Sequence, residues 1–376
     1  MMDWNKIHYQ KRISALTPGL ASLSFLYWAA VRLRLLAYPN TKKKSLPGFV
    51  VSVGNITAGG TGKTPAVMTI AQWAASEGFH PAVLSRGYGG KRKKAVTEVS
   101  DGKRLLARPA EAGDEPYLMA LKLPGIPVIV SPDRFHAGLL AHKKHGANFF
   151  ILDDGFQHIS LKRDLDLVLV DSRRPFGNGH LLPWGPLREP LHHLSRADAF
   201  ILTRADAASE DTAGAAEEFL SRRFHKPVFL SRHRPERIVF PSERKEYNTR
   251  FLEGKRVTAF AGLARPDVFR ETLTGLGAEV VWFKAFRDHH AYAPGQLRLL
   301  IREKARTGAD CLITTEKDWV RIEGALKESP DLAYLSIRLA ITEGEEKLRR
   351  LIRERAGKAT QEAQRRQEPE ARREKG

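Results

Sequence analysis

Gly54-Asn55-Ile56-Thr57-Ala58-Gly59-Gly60-Thr61-Gly62-Lys63-Thr64-Pro65 decides how the rest of this chain is read. It follows an apolar run, Phe49-Val50-Val51-Ser52-Val53, and leads into Ala66-Val67-Met68-Thr69-Ile70-Ala71, whose spacing is helical. A strand, a glycine-rich turn, Lys-Thr and a helix make the setting in which backbone N–H groups and a helix N-terminus hold phosphate. There Lys63 reaches the β- and γ-phosphates and the Thr64 hydroxyl sits on Mg²⁺. Thr57, Ala58, Gly59, Gly60, Thr61, Gly62, Lys63 and Thr64 are therefore the expected nucleotide-phosphate-binding loop. One departure stands out: the usual pattern has glycine five residues before Gly62, where this chain has Thr57. Membrane-associated P-loop ATPases that position division machinery or DNA carry a lysine just before the paired glycines, and Ala58 at that place counts against them.

The 376 residues are enough for two domains with real cores, and 42% hydrophobic content is that of a globular protein. Against 43 Asp+Glu the chain carries 62 Lys+Arg, a net charge of +19. Such a balance favours an anionic partner: nucleic acid, an anionic membrane surface or a phosphorylated substrate. The single cysteine, Cys311, excludes an intrachain disulfide and fits a cytosolic setting. It reads as a small buried hydrophobe in a strand.

Residues 1–45 stand apart. Leu20, Leu23, Phe25, Leu26, Tyr27, Trp28, Val31, Leu33 and Leu35 form an apolar, aromatic stretch interrupted by Arg32 and Arg34. Its uncharged core is shorter than the ~20 residues a spanning helix needs. Lys6, Lys11 and Arg12 precede it, and Lys42, Lys43 and Lys44 follow it. Aromatic residues within and lysines at both ends suit a helix dipped into one leaflet of an anionic membrane. A cleavable signal is a poor reading, because Arg32 and Arg34 stand where small residues would be needed.

From Pro47 onward short apolar runs alternate with helical patterns, the mark of a parallel α/β sheet. The first set is Ala82-Val83-Leu84, Val128-Ile129-Val130, Phe149-Phe150-Ile151-Leu152, Leu167-Val168-Leu169-Val170 and Phe200-Ile201-Leu202. A second set opens at Val228-Phe229-Leu230 and continues with Val257-Thr258-Ala259-Phe260, Val280-Val281-Trp282-Phe283, Cys311-Leu312-Ile313 and Tyr334-Leu335-Ser336-Ile337. The fold class is α/β: a P-loop NTPase-type parallel-sheet domain, a second, smaller α/β domain and an N-terminal membrane-interfacial helix. The expected boundaries are 1–45 for that helix, 46–230 for the P-loop domain, 231–350 for the second lobe with linker strands, and 351–376 for a charged tail, a frayed helix or a disordered segment.

Several short constellations carry chemistry. Asp153-Asp154 follow a strand directly, where P-loop enzymes place the acid that holds Mg²⁺. Open α/β sheets bind ligands at that edge. Gly113-Asp114-Glu115-Pro116 precedes a helical pattern; Asp114 serves there either as helix cap or as a catalytic carboxylate. Arg134 follows another strand, placed for a phosphate clamp. Residues 173–190 form a Gly/Pro-rich loop with the charged pair Arg188 and Glu189, and with Leu181, Leu182 and Trp184 available to a greasy substrate. Asp288-His289-His290 could begin a metal site, but no third ligand lies nearby in sequence. In Thr314-Thr315-Glu316-Lys317-Asp318, Thr315 reads as a helix cap.

Together these motifs resemble the tetraacyldisaccharide 4′-kinases of lipid A assembly. The likeness runs from about residue 52 to 318: the Gly54–Pro65 loop, Ser85-Arg86-Gly87-Tyr88-Gly89, Gly113-Asp114-Glu115-Pro116, Asp153-Asp154-Gly155-Phe156-Gln157-His158, the 176–190 loop, Asp288-His289-His290 and Thr314-Thr315-Glu316-Lys317-Asp318. The missing first loop glycine is normal in that family. The resemblance implies two α/β lobes with ATP between them. It also implies transfer of the γ-phosphoryl to the 4′-hydroxyl of an acylated disaccharide 1-phosphate lipid, by a peripheral or monotopic enzyme at the cytoplasmic face of the bacterial inner membrane. By matching motifs, Asp114 looks like the base with His289 as its partner, and Lys63 and Arg134 serve the phosphates. Thr64, Asp153, Asp154, Gln157 and Glu189 would make the Mg²⁺ neighbourhood. The expected partners are the lipid substrate and an anionic membrane surface, with no nucleic acid, for a monomer.

Two other classes stay open on the residues alone. A membrane-associated P-loop GTPase or ATPase switch would read its base through Thr203-Arg204-Ala205-Asp206, where arginine replaces the usual lysine. A nucleic-acid-dependent ATPase is suggested by charge only, since no base-reading module is recognisable.

Overall fold

A computed structural model describes the chain except residues 1–7, 10–16, 39–42, 92–93, 206–209, 264, 289, 327–328, 330 and 374–376; side chains are also left undescribed at 210, 325–326 and 360–373. Thirteen strands form one sheet. They are β1 (Phe49–Asn55), β2 (Pro81–Ser85), β3 (Thr97–Ser100), β4 (Val128–Val130), β5 (Phe149–Asp153), β6 (Leu165–Asp171) and β7 (Ala199–Thr203), then β8 (Val228–Phe240), β9 (Lys245–Asn248), β10 (Arg256–Ala261), β11 (Glu279–Ala285), β12 (Cys311–Thr315) and β13 (Leu332–Glu343). The order is β11-β10-β12-β13-β8-β7-β6-β1-β5-β2-β4-β3, with β9 on β8.

Every apolar run expected to be a strand is one. β1 lies between β5 and β6, with Val51 beside both Ile151 and Leu165, and all its residues are buried. A strand covered by helices on both faces has no solvent side, which is why Phe49-Val50-Val51 and Phe149-Phe150-Ile151-Leu152 read as continuous apolar runs. The longer helices among the described residues are α1 (Thr17–Leu36), α2 (Lys63–Ser76), α3 (Asp114–Lys122), α4 (Arg134–His145), α5 (Glu210–Phe224), α6 (Pro266–Gly275), α7 (Pro294–Thr307), α8 (Glu316–Leu326) and α9 (Glu345–Arg373), with short helical turns at Pro109–Ala112, Leu191–Arg196 and Thr249–Leu252. Ala66, Val67, Ile70, Ala71 and Ala74 of α2 share a core with Phe49, Val51 and Ile151. The small alanines let the helix lie close to the sheet.

The two halves join differently from the simplest reading of the sequence. Val228-Phe229-Leu230 pairs in parallel with Phe200-Ile201-Leu202 and so closes the first half. β8 then continues without a break to Phe240, through the charged residues 232–237 and Pro235, and pairs antiparallel with β13 from Leu230↔Glu343 to Val239↔Tyr334. β13 in turn runs parallel to β12. This long ribbon carries β8 out past the C-terminal ends of the first half's strands, and β13 back past those of the second. The C-terminal edges of both half-sheets therefore face one another, and those are the edges where α/β sheets bind ligands.

The charged C-terminal segment is helical through Arg373. Leu348, Ile352 and Ala356 pack into the first half's core, and Arg349 lies over Trp73. α1 is long and apolar enough to cross a membrane by length and composition, which its uncharged core in the sequence did not suggest. Leu20 and Ser24 are its buried residues, while Phe25, Leu26, Leu33 and Leu36 are 64–71% exposed.

Candidate active site

Gly62 caps α2 with φ 84°, ψ 22°, a left-handed conformation that glycine adopts without strain. Thr57, Thr61 and Thr64 are buried around the loop. Behind it Gly54 touches the segment after β5: a Cβ there would stand 2.6 Å from Phe156 Cβ and 2.7 Å from its nitrogen. Only glycine lets β1 and the Asp153-Asp154 turn come so close. The 176–190 loop lies along the other flank, with Ala58 N donating to Pro186 O at 2.7 Å and Arg188 N to Ile56 O at 2.7 Å. α1 seats on that loop: Ser24 Oγ donates to Leu181 O, Tyr27 Oη to Arg188 O, and Arg34 to Gln157 O. The apolar helix is thus fastened to the segments that flank the glycine-rich loop.

Lys63 Nζ donates to Asn55 Oδ1 at 3.2 Å and lies 3.5 Å from Asp154. Asp154, at φ 52°, also takes a two-pronged contact from Arg188 at 2.8 and 3.0 Å. Burial acts to raise its pKa, but the charges of Lys63 and Arg188 outweigh it and hold the carboxyl below its ordinary value. Asp153 differs. It accepts from Ser85 Oγ at 2.7 Å, and its Oδ1 is buried without a partner among the described residues. Burial, then the charges of Glu115 and Asp154, push its pKa up to about 6.

A cation is the group this arrangement fits. Asp153 presents an unpaired buried oxygen, Glu115 and Asp154 add negative charge, and the Thr64 hydroxyl is buried nearby on the loop. Among the described residues no cluster of three or more His, Cys, Asp or Glu side chains forms a cage. Mg²⁺ needs none, since it takes one or two carboxylates and completes its shell with water and substrate phosphate. Gln157 donates to Asn55 O at 3.0 Å, leaving Oε1 buried without a partner among the described residues. Glu189 is held by His193 and Arg196, both at 2.8 Å, and these outweigh burial to keep its carboxyl ionised at a lowered pKa.

Asp114 is the first residue of α3, with Gly113 as the cap, so it is not the cap itself. Gly113 has φ 91°, and a Cβ there would lie 2.4 Å from Tyr88 O, which presses the Gly87-Tyr88-Gly89 turn against α3. The Asp114 carboxylate accepts from Arg321 Nε of the opposite half at 2.7 Å. Arg321 also donates to Asp318 Oδ1 at 3.0 Å; Asp318 is fully buried and accepts from Thr315 Oγ1, the expected cap of α8. Glu115–Lys317 at 2.5 Å and Lys122–Glu316 at 3.1 Å repeat the crossing. Ion pairs therefore connect α3 to the start of α8 across the facing edges.

Arg134 is buried at the start of α4 and donates to Pro132 O at 3.3 Å. Its charge, after burial, helps push the His158 pKa down to about 4. His289 lies outside the described residues; His290 bonds Gln296 Oε1 at 2.9 Å and stacks on Phe286. Arg204, which stands where a guanine-reading lysine would, turns its guanidinium onto Asp171 at 2.6 Å, and Asp206 is not described. The sequence reading quoted Glu115 and Lys317 within their motifs without giving either a place in the site, and it did not single out Arg321. Lys317 and Arg321 are four apart after the capped start of α8, so one helix face carries both cations.

Comparison with known proteins gives the family of the chain. The family model described as tetraacyldisaccharide-1-P 4′-kinase matches residues 16–356. A tetraacyldisaccharide 4′-kinase of Syntrophus aciditrophicus is 43% identical over 333 residues, 86% of this chain and 88% of that protein. One of Desulfatibacillum aliphaticivorans is 43% identical over 330 residues, 85% of this chain and 88% of that protein. The crystal structure of LpxK from Aquifex aeolicus in complex with ATP superposes with a TM-score of 0.73 at 35% identity, covering 91% of this chain and 98% of that one. The chain belongs to the tetraacyldisaccharide-1-P 4′-kinase family.

Proposed function

We propose that this chain transfers the γ-phosphoryl of ATP to the 4′-hydroxyl of a tetraacylated glucosamine disaccharide 1-phosphate, at the cytoplasmic face of the inner membrane. The observation that carries this reading is the meeting of three things at one sheet edge. These are the Gly59–Thr64 loop with Lys63, the Asp114 carboxylate at the cleft, and an apolar helix fastened to the segments flanking that loop through Ser24, Tyr27 and Arg34.

In the reaction the acceptor oxygen bonds the γ-phosphorus, the bond from that phosphorus to the bridging β-oxygen breaks, and ADP leaves with the bond's electrons. The hydroxyl proton goes to a carboxylate, the role assigned to Asp114, with His289 as its partner. Lys63 and the loop N–H groups hold the phosphates, and Arg134 adds positive charge on the far side of β5 and β2. Thr64 and Asp153 would hold Mg²⁺, with Asp154, Gln157 and Glu189 supporting; the ion supplies charge neutralisation at the phosphates. α1 lies on the membrane, so a substrate with its acyl chains in the leaflet meets the cleft from the lipid side. The domains assigned are 46–230 for the P-loop half and 231–350 for the second lobe, with 351–376 as a charged C-terminal segment whose first turns pack on the P-loop half through Ile352 and Ala356, acting as a monomer.

In detergent with labelled ATP, ADP should form in step with a labelled lipid and stay near background without the lipid. ATP turnover at full rate with no acceptor would favour the switch reading instead.

A further inference from the structure

His233 sits on β8, in the ribbon that joins the two half-sheets, and it faces the phosphate loop. The place that a Cβ on Gly62 would take lies 2.5 Å from His233 Nε2. Loop glycines of this kind are bare so that phosphate can approach the backbone. The imidazole therefore packs against the bare backbone of Gly62, in the place that a side chain would take. Its Nε2 is buried and has no hydrogen-bond partner among the described residues. A buried polar atom left unpaired is destabilising, so an orphan aimed into a binding loop points to a partner that arrives with the ligand.

The surroundings say which kind of partner. Asp171, at the end of β6, is already engaged by Arg173 at 3.1 Å and Arg204 at 2.6 Å. Arg204 holds φ 57°, an uncommon backbone state that aims its side chain into this group. Lys317 adds another positive charge felt at the ring. Burial first, then these cations, push the His233 pKa down to about 3, so the ring is neutral and has one N–H to give. A neutral donor amid an excess of positive charge suits an anion and repels a metal ion. The Thr61 hydroxyl, likewise buried without a partner among the described residues, faces the same need.

We propose that His233 is a nucleotide-phosphate ligand supplied by the linker ribbon, donating Nε2–H to a phosphate oxygen held at Gly62. This rests on the reading of the Gly59–Thr64 loop as an ATP site. Because the ribbon belongs to both half-sheets, phosphate binding at His233 engages the element that sets their spacing.

The test is calorimetric titration of ADP and of inorganic pyrophosphate into the whole protein, its His233→Ala and His233→Gln variants, and Lys63→Ala. His233→Ala should bind both ligands about tenfold more weakly, about 1.4 kcal/mol. His233→Gln, whose amide can donate, should recover most of that loss. The effect on pyrophosphate separates phosphate contact from contact with the base. Binding by His233→Ala as tight as that of the unaltered chain, or tighter, overturns the proposal while leaving the loop assignment intact. Equal binding by Lys63→Ala, or no binding by the unaltered chain, overturns the loop assignment and this proposal with it.

Discussion

Asp114 and Arg321, 207 residues apart in the chain, meet at 2.7 Å across the facing edges of the two half-sheets. Arg321 is shared with Asp318, which has no exposure at all. Removing the guanidinium leaves a buried carboxylate without its counter-charge, a loss of about 3–5 kcal/mol. Arg321→Met should lower the urea midpoint accordingly and, at a temperature where it stays folded, reduce kcat by about 10²-fold through misplacement of Asp114. Arg321→Lys should recover part of both. An unchanged midpoint for Arg321→Met would mean that the pair forms no real crossing.

Asp114→Ala and His289→Ala should each lower kcat strongly with little change in the KM for ATP, since neither is asked to hold the nucleotide. Groups that act as a unit fail as a unit, so the double variant should be hardly worse than the poorer single one. Losses that multiply in steady-state assays would show two independent residues. An Asp114→Ala protein that is less stable but turns over normally would make Asp114 a helix-start residue only.

What could be read from the sequence was what is local. β1, its loop and α2 occupy residues 49–76 in unbroken order, and Thr315 caps α8 from within its own motif. What crosses between distant segments could not be read. The charged stretch after Ser231 reads as connecting structure with a strand pair, and β8 with β9 is such a pair. What the sequence does not reveal is that residues 232–237 form the middle of a 13-residue strand that also pairs with β13, far along the chain. Glu189 reads as a ligand beside Arg188, and only the fold reveals His193 and Arg196 closing on it. Arg321 has no motif of its own. Its place facing Asp114 follows from how the ribbon turns one half-sheet against the other.

His233, half-buried with its Nε2 enclosed, makes the protein acid-sensitive. Its pKa falls from 6.5 unfolded to about 3 folded, so the unfolded chain binds the proton first. The stabilising contribution is whole above pH 6.5 and is lost as pH falls toward 3; at pH 5 about 2 kcal/mol is gone. Denaturant midpoints measured from pH 7 to 5 should fall less steeply for His233→Gln than for the unaltered chain. Identical slopes would place the ring in contact with water.

Phe25, Leu26 and Leu33 are exposed on α1 and reach no core. Each is worth about 1.5–3 kcal/mol when fully taken out of water. Replacing all three with serine should reduce sedimentation with anionic vesicles by at least tenfold and leave ADP affinity unchanged. Salt should weaken what remains, because the flanking lysines act through a screened field. Equal sedimentation would mean that α1 only braces the 176–190 loop.

The most direct test is where the label goes. After incubation with γ-labelled ATP and the acylated disaccharide 1-phosphate, the lipid product is treated with mild acid, which cleaves an anomeric phosphate but spares a phosphate ester of an ordinary sugar hydroxyl. The account predicts that the label stays with the lipid, at one phosphate per disaccharide, and that Asp114→Ala forms almost none of this product. Label released by the acid, or label found only as inorganic phosphate at undiminished ATP turnover, would contradict it.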